Sequence, residues 1–387
     1  VYKIIAQVAH RLTTRSSAGD FPIAIAHDYL TQRGGAERVV LALHKIFPEA
    51  PIYTTLYDPE ATFPEFKEAD VRTSPLNRIS FLRRRHRLAL PLLPLAATLF
   101  RVPAKLTIVS STGWAHGFNV SGGKVVYCHS PARWLYRRDQ YMGDRAAGTL
   151  TARVLDLLKP ALTRWDQWAA TADGHPYIAN STVVQERIRS VYGLEAPIIY
   201  PPHNVDANAI RKSIPGIDWG SNEFFLVVSR LLPYKNVQHA IEAVRGTRHR
   251  LVVIGAGPME SQLRATAPEN VRLTSNLDDA QMRWAYSHCS AVLAVSYEDF
   301  GITPLEGAAY GKPTLALRAG GFLDTIKPGV TGQFIDTPEP EAIRRAMDEF
   351  SPSDFEPTRI QQHARSFGQS RFERQLRGHL RKFGEDF

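Results

Sequence analysis

Short runs of apolar, often β-branched residues alternate with helix-length amphipathic stretches along nearly the whole chain. Chains of this kind hide such runs in parallel sheets whose two faces are covered by the intervening helices, so an α/β fold is expected. In the first half the expected strands are 23–26, 51–55, 106–110, 124–128, 177–179 and 197–200, with helices over 36–47, 148–171 and 182–192. Ser181 stands where the last of these needs an N-cap. From Tyr200 to Asn222 the chain is rich in Pro, Asn and Gly and has no periodicity. A second series follows: strands 224–229, 251–254, 271–274, 291–295 and 313–317, alternating with helices 236–245, 258–265, 279–288 and 304–310. Two Rossmann-like domains in tandem are expected, over 1–200 and 223–370, joined by a linker over 201–222. A basic helical tail, 371–387, is expected to pack back on the first domain.

Composition removes other classes. With 44% hydrophobic and 22% charged residues over 387 positions, the chain has the make-up of a folded soluble protein. Its two cysteines, Cys128 and Cys289, lie far apart, which argues against a disulfide scaffold or a thiolate zinc site and for a reducing compartment. Residues 1–20 lack the continuous apolar core of a signal peptide. The longest uncharged apolar run, 88–100, is shorter than the roughly 20 residues that span a bilayer.

The net charge of +9 is unevenly spread. No Asp or Glu occurs between Val71 and Arg138, where twelve Arg and Lys fall, so the rest of the chain is slightly acidic. Such a stretch draws anionic partners, although any single arginine in it reads as well as a solvated charge. Arg83, Arg84, Arg85 and Arg87 lead straight into an apolar run from Leu88, a pairing suited to the surface of an anionic membrane. Neither the aromatic interleaving of single-strand binders nor a helix-turn-helix or finger signature is present, which weakens a nucleic-acid-binding reading.

In open parallel sheets, ligands bind beyond the carboxyl ends of the strands, and four places stand out there. At the first, Gly34-Gly35 opens a helix shortly after His27-Asp28; the pair reads as an anion site or as a plain turn, and its spacing is not GxGxxG, which counts against a nicotinamide enzyme. At the second, His129 follows a strand and precedes a proline, placed to meet a hydroxyl or share a proton. At the third, Arg230 and Lys235 flank a strand-to-helix crossing and can clamp a pyrophosphate. The fourth is the most informative: Glu298-Asp299-Phe300-Gly301-Ile302-Thr303-Pro304-Leu305-Glu306 ends a strand, turns through glycine and enters a helix with proline in its first turn. Its loop amides suit an anion, and its two glutamates suit hydroxyl groups.

This fourth segment resembles the Glu-x7-Glu motif of the retaining GT-B glycosyltransferases of family 4, the glycosyl transferases group 1, and the other three places fall in the order that family has. The resemblance covers roughly residues 23 to 370. It implies a first domain for the acceptor and a second for a nucleotide sugar. Gly34 and Gly35 match the glycine loop beside the donor diphosphate, His129 the histidine at the donor sugar, and Arg230 and Lys235 the basic pair on the diphosphate. Glu298 matches the glutamate on donor-sugar hydroxyls and Glu306 the one holding the ribose, with Phe300, Gly301, Ile302 and Thr303 forming the loop between them. The segments around His27 and His129 look most like bacterial mannosyltransferases of O-antigen or exopolysaccharide assembly, which implies GDP-mannose as donor. The implied acceptor is a saccharide or a polyprenyl-diphosphate-linked saccharide at the inner face of the cell membrane, met from the cytoplasm. No cofactor and no metal are expected, because cations and amides meet the leaving diphosphate. The pattern departs from the family at Thr274-Ser275-Asn276-Leu277, where relatives carry a glycine, and Gly255-Ala256-Gly257-Pro258 is given only a structural role. A sugar-nucleotide epimerase on the same fold is the competing enzyme.

Overall fold

The computed structural model describes residues 21–84, 89–137 and 150–383, with side chains of the helix Leu150–Thr171 described from residue 157. The expectations for residues 1–20, Arg85, Arg87, Arg138, the helix start at 148–149 and the last residues of the tail lie outside the described residues. The chain divides into two compact units, Val1–Pro201 with Glu373–Phe387, and Pro202–Phe372.

In the first unit, β1 (Phe21–His27), β2 (Ile52–Thr54) and β3 (Val71–Thr73) lie on one side of the sheet. Two short strands, β4 (Arg101–Val102) and β6 (Asn119–Val120), form a separate parallel pair. The long strand β5 (Ala104–Ser111) adds to β1, followed by β7 (Gly123–Cys128) and β8 (Tyr177–Ala179). All pairings are parallel and the order is β3-β2-β1-β5-β7-β8. The order reverses between β1 and β5, so the crevice at their carboxyl ends is the natural ligand position. Successive residues Ala24, Ile25 and Ala26 are all fully buried, which requires cover on both faces of the sheet, since neighbours along a strand point opposite ways.

Several local expectations changed. The expected strand at 197–200 is a single bridge, Ala179 to Ile198, because Pro197 has no amide to donate and Pro201-Pro202 stop any continuation. β3 escaped the sequence reading: its three residues are half-buried at the sheet edge and carry little periodicity. The helix Leu150–Thr171 runs through Pro160, an interior proline that costs about 3 kcal/mol. Burial of Leu162, Trp165 and Ala169 against Trp114 and Leu135 offsets it, each large side chain contributing roughly 1.5–3 kcal/mol. Ser181 caps the helix Thr182–Tyr192 as expected, accepting from the Val184 amide at 3.3 Å.

The second unit repeats the architecture. β9 (Phe225–Val228), β10 (Leu251–Ile254), β11 (Val271–Thr274), β12 (Ala291–Ala294), β13 (Thr314–Leu317) and β14 (Gly332–Ile335) pair in parallel in the order β11-β10-β9-β12-β13-β14. Its reversal lies between β9 and β12. β14, like β3, was not foreseen. Ile214 and Ile217, from the proline-rich stretch before β9, are buried with Phe224 and Tyr286, so this stretch is part of the unit's core. The helix Gln369–Leu380 starts in the second unit and ends in the first, where the Arg377 guanidinium donates to the Ile46 carbonyl at 3.1 Å and lies over the Phe47 ring.

Candidate functional site

At the carboxyl ends of β9 and β12 the second unit forms a pocket lined by Ser229, Lys235, Ser296, Glu298, Thr303 and Phe322, among others. Asn236, the residue after Lys235, sits in the left-handed region at φ 56°, stands at the N-cap of the helix Val237–Val244, and donates through Nδ2 to the Val295 carbonyl at 2.9 Å. That bond ties the strand-to-helix crossing after β9 to the end of β12 and sets Lys235 beside Glu298. The Lys235 ammonium, almost fully buried, pairs with Glu298 Oε1, which also accepts from Ser296 Oγ at 2.6 Å. Glu298 is a quarter exposed, so the pair borders solvent.

The loop after Glu298 is shaped by glycine. Gly301 has φ 81°, a conformation strained for residues with a Cβ, and it opens the helix Ile302–Ala309. Phe300 is buried against Phe367. Glu306, one helical turn further, is buried and accepts from the Tyr286 hydroxyl at 2.6 Å, which holds its carboxylate in place. His203 lies close enough for Glu306 to act on its charge, but burial outweighs this and depresses its pKa; its Nε2 donates to the Ala364 carbonyl at 2.9 Å. Of the expected residues, Lys235, Glu298 and Thr303 meet in the pocket, while Glu306 sits beside it on the helix. Arg230 is exposed and its guanidinium makes no ion pair among the described residues.

The sequence assigned no role to Ser296, at the head of the fourth segment, to Tyr286 or to the glycine pair after β13. The Gly321 amide donates to the Glu298 carbonyl at 2.8 Å, and a Cβ on Gly321 would fall 2.3 Å from Phe300 Cα. The Ala319-Gly320-Gly321 stretch is a visible turn signal, but its contact with residues 298–300 is a tertiary fact. Two other glycine questions resolve locally. Asn276 adopts φ 56°, a left-handed turn that an asparagine can supply without glycine. Gly255 packs against the Ser229 carbonyl, where a Cβ would fall at 1.9 Å, so that turn is structural.

In the first unit, Gly34 N-caps the helix Gly35–Ile46 with extended backbone and Gly35 is exposed. The structure also brings Glu37 to this helix start: it is buried, its Oε1 accepts from Gln32 Nε2 at 3.0 Å, and a Cβ on Gly34 would meet its Oε2 at 2.5 Å. His129 lies one residue beyond β7, buried, with Nε2 2.8 Å from Ser110 Oγ. Asp28 is a scaffold group: its two oxygens accept from the Thr112, Trp114 and Ala115 amides and hold the loop after β5.

The basic stretch is partly consumed inside the fold. Arg72 pairs with Asp70 and stacks on Phe21, and Lys124 is buried with Nζ donating to the His116 carbonyl at 2.9 Å. Arg83 is half-buried and donates to the Asn77 carbonyl, while Arg78 and Arg84 are exposed. On the same stretch of sequence Ile79, Phe81, Leu92, Leu95 and Leu99 are each 42–53% exposed. Among the described residues no helix is long and apolar enough to cross a membrane.

Residues 214–367 match the family model described as Glycosyl transferases group 1. This range includes the pocket of the second unit, Lys235, Glu298 and Glu306. The second unit is a glycosyl transferases group 1 domain. Among curated proteins, the chain is 34% identical over 210 residues to D-rhamnosyltransferase WbpZ of Pseudomonas aeruginosa, covering 50% of this chain and 53% of that protein. It is 29% identical to the O-antigen chain mannosyltransferase C of Escherichia coli, covering 51% and 55%. The chain thus spans about half the length of these curated relatives. Among solved structures, the Anabaena protein HepE in complex with UDP superposes with a TM-score of 0.66 at 17% identity, covering 94% of this chain and 100% of that one. With the group 1 domain as its second unit and a like-ordered parallel sheet in its first, the chain has the GT-B fold.

Proposed function

We propose that this chain is a retaining glycosyltransferase that moves mannose from GDP-mannose to a saccharide, or to a lipid-linked saccharide, in bacterial glycan assembly. The observation that carries this reading is the cluster at the β9 and β12 ends. A buried cation, Lys235, is held by Glu298, and a second oriented carboxylate, Glu306, stands one helix turn beyond the glycine loop. A nucleoside diphosphate sugar presents an anion between two sets of hydroxyls, and this cluster offers a cation paired with one carboxylate and a second carboxylate on the helix that follows.

In the reaction, bond breaking places charge on the departing diphosphate. Lys235, the exposed Arg230 and the amides opened by Gly301 supply donors for it, and such preorganised donors act most strongly where water is excluded. Glu298, shared with Lys235 and Ser296, exchanges the lysine for a sugar hydroxyl once the diphosphate engages that cation. Glu306, oriented by Tyr286, takes the ribose. His129, in the first unit, is the residue this reading assigns to the donor sugar. The relatives' printed names support a manno-configured donor, since D-rhamnose is mannose lacking its 6-hydroxyl.

A thermal-shift series with GDP, UDP, ADP and their sugars tests the nucleotide, because a ligand of the folded state raises its melting temperature. GDP and GDP-mannose are expected to shift it most, and transfer is expected to persist in excess EDTA. Turnover of UDP-sugars alone would remove the donor assignment. Activity lost in EDTA and restored by Mn²⁺ would remove the metal-free mechanism.

A further inference from the structure

The first unit contains a chain of four buried side chains that the mechanism above leaves unused save for its last member. Glu37 Oε1 lies 4.0 Å from His27 Nε2. His27 is fully buried, with Nδ1 2.8 Å from the Ser110 carbonyl oxygen and 3.1 Å from Ser110 Oγ. Ser110 Oγ in turn lies 2.8 Å from His129 Nε2. Strand register produces this line-up: His27 pairs with Ser110 across β1 and β5, and Ser110 with Tyr127 across β5 and β7, two residues before His129.

The proton positions follow from which atoms can only accept. A carbonyl oxygen cannot donate, so His27 Nδ1 carries a proton. His27 Nε2 is buried, makes no hydrogen bond and faces the Glu37 carboxylate. A bare lone pair there would oppose a negative charge in a dry site, whereas an N–H meets it favourably, so His27 is held as the imidazolium. Burial acts to lower its pKa, but Glu37, with Asp28 and the Ser110 carbonyl, outweighs this and the net displacement is upward. With an imidazolium N–H on one side, Ser110 Oγ turns its own hydrogen toward His129 Nε2. That nitrogen is then an acceptor, and the proton of the neutral ring sits on Nδ1.

We propose that Ser110 is a positioning residue which, backed by the His27–Glu37 ion pair, fixes His129 in its Nδ1–H tautomer at the carboxyl end of β7. Among the described residues, the charged and titratable groups around these four side chains include Glu37 and Asp28 at His27, and at His129 the Tyr127 ring 5.3 Å away, the His27 ring 6.5 Å away, and Arg187, which donates to the adjacent Ser130 hydroxyl. A histidine in the wrong tautomer presents an acceptor where a donor is needed, and that change alone is costly to catalysis.

The test uses the full chain labelled with ¹⁵N-histidine and long-range ¹H–¹⁵N spectra. At pH 7 the wild type is expected to show His129 protonated on Nδ1 only and His27 protonated on both nitrogens. Ser110→Ala is expected to give His129 as a tautomer mixture, and Glu37→Gln to lower the pH at which His27 loses its second proton. Glu37→Gln reports on His27 even if Ser110→Ala fails to fold. His129 unchanged in Ser110→Ala, or His27 neutral in the wild type, overturns the proposal. The activity arm rests on the function proposed above: kcat for sugar transfer is expected to fall about tenfold in Ser110→Ala with donor KM little changed, and to recover in Ser110→Thr. A wild type that transfers no sugar would remove that function while the spectra still decide the tautomer. A tautomer shift with unchanged kcat would overturn the positioning role.

Discussion

Lys235 and Glu298 neutralise one another, so each changes the other's availability when removed. Glu298→Ala is expected to cost about 2 kcal/mol of stability, less than a fully buried pair because Glu298 borders solvent. It is also expected to bind nucleoside diphosphate at least as tightly as wild type, since Lys235 is released, while turnover falls steeply. Glu306→Ala is expected to weaken nucleotide and nucleotide-sugar binding alike; calorimetry showing unchanged GDP affinity would refute the ribose assignment. Lys124 offers a test that needs no substrate. Burial pushes its pKa down from 10.5 to about 8, with the Asp173 charge opposing. Between those values the unfolded chain binds the proton and the folded chain does not, so this residue makes stability rise with pH. Below about pH 8 both states are protonated and the cost of burial is felt in full, about 3 kcal/mol. Lys124→Met is therefore expected to stabilise at pH 7, less about 1 kcal/mol for the lost bond to His116, and to gain much less at pH 10. Equal shifts in urea midpoint at both pH values would show an ordinary lysine.

At the scale of elements, the loop from Glu298 to Thr303 owes its path to a neighbour distant in sequence. The turn at Gly320 and Gly321 lies against its backbone so closely that no side chain fits between them. Gly321→Ala is expected to displace the loop, cost about 2 kcal/mol or more, and weaken nucleoside-diphosphate binding at least tenfold. A variant with wild-type melting temperature and nucleotide affinity would show the loop to be held from elsewhere. The long helix ending at Thr171 teaches a related lesson. Its proline survives because Trp165 and Leu162 are buried in the first unit, so tertiary packing outweighs local preference.

For the whole molecule, charge and apolar exposure coincide on the segment from Arg78 to Leu99. Arg78 and Arg84 are exposed, as are Ile79, Phe81, Leu92, Leu95 and Leu99 on the described parts of the same stretch, a combination suited to anionic headgroups and the acyl boundary behind them. Replacing Arg83, Arg84, Arg85 and Arg87 with Ser is expected to abolish sedimentation with anionic vesicles in low salt, and to leave GDP binding intact. Vesicle binding equal to wild type would show these arginines to be solvated charges.

The amino-acid sequence by itself determined the alternation of strands and helices, the two sheets, and the order in which motifs meet the strand ends. These follow from hydrophobic period, caps and turn residues, all local properties. The edge strands β3 and β14 were illegible because three or four residues, all of them half-buried in β3 and two of them in β14, carry too little period. In the second unit, Glu298 and Glu306 were readable from one continuous loop, and Lys235 from the crossing after β9. Only the tertiary structure decided that Lys235 pairs with Glu298, that Tyr286 orients Glu306, and that Glu37, His27, Ser110 and His129 form one chain. Those contacts join residues up to 83 positions apart, and they depend on strand order and register, which arise when sheets assemble around a shared core.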